Sequence, residues 1–563
     1  MYRLRCLHSP HTVHGPNWSA NFWSKQKPVT QQLALIAEVL SATTYTERKE
    51  AGATAALNEA LRPLGFDFAL IVNQHQQSEV NLLVGPRSTF PLYWQAEEDS
   101  GVLTITDHLP HSESSTQALR DQLDASWLKT FLAHCIASGP MEFSPSPRTI
   151  YKAWQRVPAS HWAQLDTVSV SRPKSRTPKL RAFDNISSPH CLTYARPEEL
   201  QEFIRAALIA HLQQLWCAPT SRADSKGNLA VELSGGIDSG LVMAAAIEAR
   251  IRAAQAIGEG QTASLPIGIC NRYPYPEFRR EALYQQAIQR KYNFELNYQE
   301  GAQLLPFAGL NSLPVHDEPS VLTTSWGHLI TMHQHCHDRG VKTLLTGHGG
   351  DTLFEVPPST PILTHSRGDL PALFSHACRA EVREQGHEIR EFLNQQSAPW
   401  QLSKYWHPTL LDSPFINRVF LRHNTHALTY TSGLICPDVV NGLHAYWQLS
   451  HRTPRTSVRV TQKPVAYELF KDLLPDPVWH RPGKVNHLGL AYRGLFNSRR
   501  GLSILIPYLE LFAPLLEFEV SAMQETLLTA TSGLHSGASW ISRMLALLAW
   551  AHAREHRHTL VAE

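Results

Sequence analysis

The chain has 563 residues, 43% apolar and 18% charged, enough for more than one domain and for a sizeable buried core. That balance excludes a disordered chain, and a net charge of +2 leaves no footprint of nucleic-acid or polyanion binding. The eight cysteines contain no Cys-x-x-Cys pair, so their spacing offers neither a zinc site nor a disulfide framework. With no signal-like N-terminus and no apolar run of membrane length, the expectation is a cytoplasmic protein with reduced thiols and no membrane insertion. Thirty histidines would make it more positive in mild acid.

In chain order, helical periodicity appears at 31–41, short strands at 80–84, 92–94 and 102–106, and a helix at 126–137. Ser, Arg, Pro, Lys and Thr crowd 169–181, which reads as a linker or an exposed hairpin. From about Pro197 the pattern alternates: helix 199–215, strand 229–233, helix 241–254, strand 265–269, helix 278–291. Strands alternating with helices imply a parallel α/β sheet. Beyond 355 the chain turns mostly helical with proline-broken loops, and the apolar spacing at 504–523 and 541–551 marks core-facing helices. There is no internal repeat.

The run Val231-Glu232-Leu233-Ser234-Gly235-Gly236-Ile237-Asp238-Ser239 reads as a strand, a tight turn and a helix start. Such a turn gathers backbone N–H groups at a helix N-terminus, where the dipole favours anions, and its glycines let phosphate oxygens approach the main chain. It lacks the lysine of a Gly-x-x-x-x-Gly-Lys-Ser/Thr loop, so the bound group is expected to be a pyrophosphate leaving as a unit. Ser234 and Ser239 would add hydroxyls to that group while also capping the helix.

A second strand and turn follow at Val341-Lys342-Thr343-Leu344-Leu345-Thr346-Gly347-His348-Gly349-Gly350-Asp351. If both strands lie in one parallel sheet, the turns converge at the carboxyl ends of the strands. Asp238 and Asp351 would then hold Mg²⁺ against the pyrophosphate, since that ion commonly takes one or two carboxylates plus phosphate oxygens.

Ser-Gly-Gly-Ile-Asp-Ser at 234–239 and Gly-His-Gly-Gly-Asp at 347–351 resemble the two signatures of the asparagine-synthetase-type ATP pyrophosphatases, in an order that covers most of 190–500. His348 and Gly350 depart from it: asparagine synthetase itself usually carries Glu and Ser there. The resemblance implies ATP and Mg²⁺ as cofactors, adenylation of a carboxylate, release of pyrophosphate and attack by an amine. It also implies ATP and pyrophosphate binding by Val231, Leu233, Ser234, Gly235, Gly236, Asp238, Ser239, Ile269, Gly347, Gly349 and Gly350, with adenine against the backbone of 231–233 and 269–270.

The implied architecture is α/β in two parts. A degenerate glutaminase-like (Ntn-type) α+β domain occupies 1–170, followed by a linker at 171–195. A parallel-sheet ATP-pyrophosphatase domain with a mostly helical C-terminal part occupies 196–563. The first part resembles the glutaminase domain of asparagine synthetase through Phe90-Pro91-Leu92-Tyr93-Trp94, residues 103–107 and Arg156-Val157-Pro158. Such a glutaminase needs an N-terminal Cys, whereas position 2 is Tyr and Cys6 could serve only after clipping. The amine is therefore expected to come from elsewhere.

Family members without that nucleophile include β-lactam synthetase and the lasso-peptide macrolactam synthetases, and the chain resembles the latter. The activity implied is closure of an isopeptide ring between an Asp or Glu side chain of a precursor peptide and its N-terminal amine. The implied partners are that peptide, a leader-binding protein and a leader peptidase. Arg481-Pro482-Gly483-Lys484 resembles the lysine loop of this group, with Lys484 neutralising charge at the adenylate. In His316-Asp317-Glu318-Pro319-Ser320, Glu318 is the candidate base for the amine and Asp317 the alternative.

His333, His335 and His337 alternate and so share no helix face, and His552 and His556 lack the Glu of a His-Glu-x-x-His site. Alternative readings are another amide ligase that uses ammonia or a small amine, making asparagine or a β-lactam, and a non-catalytic nucleotide-binding module.

Overall fold

The computed structural model describes residues 2–5, 11–14, 18–24, 30–42, 56–57, 60–61, 68–74, 79–85, 88–96, 102–109, 116–133, 147–158, 161–166, 179–182, 196–216, 229–256, 264–354, 370–395, 418–420, 428–450, 463–483, 488–532 and 538–556. Ten strands belong to the N-terminal part: β1 (Tyr2–Arg5), β2 (His11–His14), β3 (Trp18–Ser24), β4 (Phe68–Gln74), β5 (Glu79–Val84), β6 (Tyr93–Ala96), β7 (Leu103–Thr106), β8 (Gln155–Arg156), β9 (His161–Asp166) and β10 (Lys179–Ala182). They form an antiparallel six-stranded sheet, β10-β9-β5-β4-β3-β2, and a four-stranded sheet, β1-β7-β6-β8.

The period-2 pattern of β4 explains the layering. Leu70 and Val72 point to helix Thr30–Ala42, joining Phe22, Leu83 and Trp162. Ala69 and Ile71 point the other way, onto Leu92, Trp94, Leu103 and Ile105 of the second sheet and the segment before it. Strand β10 pairs with β9, so residues 179–182 of the expected linker form the arm of a hairpin-like pair. The rest of 171–195 lies outside the described residues.

The second sheet system is the expected parallel one. Strands β11 (Leu229–Glu232), β12 (Ile267–Arg272), β13 (Leu296–Glu300), β14 (Thr343–Thr346) and β15 (Thr429–Ser432) run parallel in the order β13-β12-β11-β14-β15. Helices Pro197–Trp216, Ile237–Ala256 and Pro437–Ser450 cover one face, over Val231, Leu233 and Leu345. Helix Trp326–Asp338 and the C-terminal helices cover the other, over Ala230, Ile269 and Leu344. Helix Ile237–Ala256 starts earlier than its apolar spacing suggested, which puts Asp238 and Ser239 in its first turn.

The apolar run at 504–523 is broken rather than continuous. Helix Arg499–Leu505 passes through the 3-10 turn Ile506–Tyr508 into Leu509–Leu516. It stops at Glu517 (φ 56°), and Val520–Ala530 then restarts with Glu519 as a side-chain cap. The last helix, Ala538–His556, packs Trp550, Leu547 and Ile541 into a core that also takes Trp127, Phe131 and Tyr151 from the N-terminal part. Among the described residues, no helix is long and apolar enough to cross a membrane.

Candidate active site

Strands β11, β12 and β13 progress to one side, and β14 returns to the opposite side of β11. The β11–β14 junction is therefore a topological switch point, where the connections after the two strands diverge and leave a crevice at their carboxyl ends. Both glycine turns sit there. Ser234 and Ser239 are bonded hydroxyl to hydroxyl at 3.0 Å, Ser239 Oγ accepts the Ser234 amide at 3.1 Å, and Ser234 Oγ accepts the Gly236 amide at 3.2 Å. These bonds hold the turn in the open curl that an anion needs.

The two turns interlock. Gly235 and Gly349 have φ of 84° and 87°, which side-chain-bearing residues rarely adopt. A Cβ on Gly347 would stand 2.5 Å from the Ser239 amide nitrogen, and one on Gly350 would overlap the Asp238 carboxylate. Gly347→Ala is accordingly expected to push the turns apart, costing about 1–3 kcal/mol of stability by overpacking rigid backbone. A lower urea midpoint together with weakened nucleotide binding is the expected result; an unchanged midpoint would show that the turns do not interlock.

Asp238 and Asp351 line one cleft of ≈ 600 Å³ and meet around a single cation, which is the side chain of Lys463. Its ammonium donates to Asp238 Oδ1 and Oδ2 at 2.5 and 2.6 Å and to Asp351 Oδ1 at 2.7 Å. Lys463 is 1% exposed, whereas the Asp351 side chain is 59% exposed and reaches into the open cleft. Two carboxylates already close enough to share a cation are a donor set that Mg²⁺ can take together with phosphate oxygens. No cluster of three or more His, Cys, Asp or Glu suited to a metal occurs among the described residues.

Arg481 braces the first turn from behind. Its guanidinium donates to the Gly235 carbonyl at 3.0 Å and to Glu281 Oε1 at 2.6 Å, and it lies over the Tyr284 ring. Burial raises the pKa of Glu281, and the Arg481 charge and hydrogen bond offset part of that rise. Lys484, expected here as the functional lysine, lies outside the described residues.

The same cleft is lined by one more carboxylate, apart from the two that meet at Lys463. Glu232, at the end of β11, points away from Val231 and Leu233. His328 Nε2 bonds its Oε1 at 3.0 Å, Asn271 Nδ2 donates to the same oxygen at 3.3 Å, and the Tyr430 hydroxyl donates to Oε2 at 3.2 Å. Burial alone would push its pKa up; the charge and hydrogen bond of His328, the charge of His348 and the Tyr430 bond outweigh it and hold the carboxyl at about 2.

Not every expected site residue reaches the cleft. Glu318 and Asp317 are turned toward the N-terminal part. Glu318 Oε1 accepts the Ile150 amide at 3.1 Å and its Oε2 pairs with Arg156 at 3.0 Å, both side chains being 4% exposed. Asp317 Oδ1 accepts the Leu109 amide at 3.0 Å. Neither lines the ≈ 600 Å³ cleft; as placed, these carboxylates join two layers of the molecule. Val231, Leu233 and Ile269 are also fully buried and absent from the cleft wall. The Leu233 amide is bonded to the Ile269 carbonyl, and the Leu233 carbonyl accepts from Gln285.

Sequence reasoning passed over Lys463, Arg481, Glu232, His328 and Tyr430. For Lys463 and Tyr430 no local signal existed. For Glu232 one did: a lone acid alternating with apolar residues in a buried strand marks a side chain facing its own environment.

The Asparagine synthase family model matches residues 212–416, a stretch that contains both glycine turns and the Glu232–His328 pair and ends before Tyr430, Lys463 and Arg481. A comparison with curated proteins found no match. Parallel sheet, interlocked turns and family match together indicate an asparagine-synthetase-like domain. Enzymes of that family form amide bonds at the expense of ATP, typically with Mg²⁺.

Proposed function

We propose that the protein adenylates the side-chain carboxylate of an Asp or Glu in a precursor peptide. It then joins that carbonyl to the peptide's N-terminal amine, releasing AMP and pyrophosphate as in lasso-peptide biosynthesis. The observation that carries this reading is the size and lining of the space beside the nucleotide cleft. A second cavity of ≈ 720 Å³ shares the wall residues Asn271, Tyr273, Phe278 and Glu281 with the first and adjoins it as a neighbouring groove. Its walls carry Tyr275 and Tyr298, with Arg493 placed 3.7 Å over the Tyr275 ring centroid and Arg272 4.0 Å over that of Tyr298. Broad aromatic and guanidinium faces suit peptide side chains. Free aspartate would need none of this surface.

The chemistry follows from the parts. The substrate carboxylate attacks the α-phosphorus of ATP, the new P–O bond forms, and the bond to the bridging oxygen breaks with its electron pair on the departing pyrophosphate. The turn at Ser234, Gly235, Gly236 and Ser239 receives that anion, with Arg481 holding the turn's shape. Lys463 supplies a fixed cation where negative charge grows. Mg²⁺, when bound by Asp238 and Asp351, supplies charge neutralisation of the triphosphate. The groove must then exclude water and orient amine against carbonyl, because hydrolysis would destroy the adenylate. A leader-binding protein and a leader peptidase are the partners this reaction calls for, to deliver the peptide and free its N-terminus.

ATP–pyrophosphate exchange tests the reading. Exchange is expected with an Asp- or Glu-containing peptide and not with free aspartate. Exchange with aspartate alone would remove the peptide assignment, and no exchange with any acid would remove the ligase assignment.

A further inference from the structure

We propose that Glu232 is the docking point for the attacking amine, which it receives as an ammonium ion. This deepens the amide-ligase reading and rests on it. The Ser-Gly-Gly turn at the same sheet end is shaped for an anion, and the acids Asp238, Asp351 and Glu281 there already have the buried cations Lys463 and Arg481 as partners. A carboxylate on the floor of the same cleft opposes phosphate and favours a cation.

Geometry fixes where the carboxylate points. Three donors from three different elements hold it: His328 from helix Trp326–Asp338, Asn271 from β12 and Tyr430 from β15. Oε1 carries two of these bonds and Oε2 one, and an ionised carboxylate offers about four acceptor positions, so Oε2 keeps acceptor capacity. The side chain is 17% exposed and lines the cleft, so a ligand can reach it. The fit is to a small primary ammonium, whether the end of a peptide, a small amine or ammonium itself.

The step that follows balances without a further reactant. The bound ammonium sheds one proton to solvent, and the nitrogen lone pair forms the C–N bond. The acyl–oxygen bond to AMP breaks with its electron pair on the phosphate, and the second N–H proton leaves to solvent.

The test uses the full chain and Glu232→Gln, which keeps shape and an acceptor but removes the charge. Three rates are read with an Asp-containing peptide as acid: pyrophosphate exchange, amide formation with glycinamide or ammonium chloride, and hydroxamate formation with hydroxylamine, which is mostly uncharged at neutral pH. Exchange and hydroxamate formation are expected within about 3-fold of wild type, while amide formation falls ~100-fold through a raised amine KM, as for loss of one buried charge partner. Glu232→Asp, which keeps the charge, is expected to restore part of the loss and covers the case in which the Gln variant folds poorly. If the wild type favours glycinamide over ammonium chloride, the subsite serves an amine carried on a chain; the reverse identifies ammonia. Exchange falling in parallel with amide formation, or a raised ATP KM, would mean that Glu232 serves the nucleotide and would overturn the proposal. No change in any rate would overturn it too. A wild type that exchanges with no acid removes the ligase reading itself, and this inference with it.

Discussion

Lys463→Met is expected to lower overall amide formation by roughly 10²–10³-fold, the loss seen when one fixed group is removed from the charge-stabilising set of an active site. The same variant is expected to bind divalent cations more tightly in the absence of nucleotide. In the wild type one ammonium satisfies three carboxylate oxygens of Asp238 and Asp351. Without it, the two carboxylates lose the ammonium they share, and Mn²⁺ meets a stronger field. Turnover and metal affinity therefore move in opposite directions, which simple misfolding would not produce. Lys463→Arg should recover a fraction of the turnover, since it restores the charge with a different geometry. Steady-state kinetics and Mn²⁺ titration of the nucleotide-free protein check both halves. A Lys463→Met protein with normal turnover, beside a Lys484→Met protein without it, would return the role to the lysine favoured by the sequence.

The second large effect concerns stability. Arg156→Leu and Glu318→Leu are each expected to destabilise the protein by roughly 3–5 kcal/mol, the range for removing one partner of a buried ion pair. Both side chains are 4% exposed, and Glu318 also accepts the Ile150 amide, so little water can replace the lost partner. The double variant is expected to lose clearly less than the sum of the two single ones. Urea midpoints of the four proteins measure the coupling. Pyrophosphate exchange by the folded Glu318→Leu protein should remain, because the residue does not face the cleft. If Glu318 were instead the base for the amine, its removal would leave stability nearly intact and abolish amide formation.

Much of the site's grammar was legible locally. A strand, a Ser-Gly-Gly turn, an Asp and a helix start lie within one short stretch, and each residue type has a reason that depends only on its neighbours. The same holds for the second turn. The alternating strands and helices from about 197 onward announced a parallel sheet, and β11 to β15 form one. Element ends were less legible. Helix Ile237–Ala256 begins at the turn itself, ahead of the apolar spacing, because the polar Asp238 and Ser239 of its first turn line the cleft.

The direction in which the acids at 317 and 318 turn was not legible, and the reason is local. Asp317 and Glu318 stand in a loop before a helix, and nothing in their neighbours says which way a loop carboxylate turns. The packing of Trp550 against the carbonyls of His316 and Asp317, and of Arg156 against Glu318, turns them away from the cleft.

The chain alone determined two glycine turns, the two acids beside them and the sheet class that carries them, since each is written in contiguous residues. Tertiary structure decided that those acids share Lys463, separated in sequence from them by 225 and 112 residues, and that Glu232 meets Tyr430 across 198. Such meetings depend on strand order and on which face of the sheet each side chain takes. Strand order is a property of the packed whole, set by burying apolar area on both faces at once, and no local pattern encodes it.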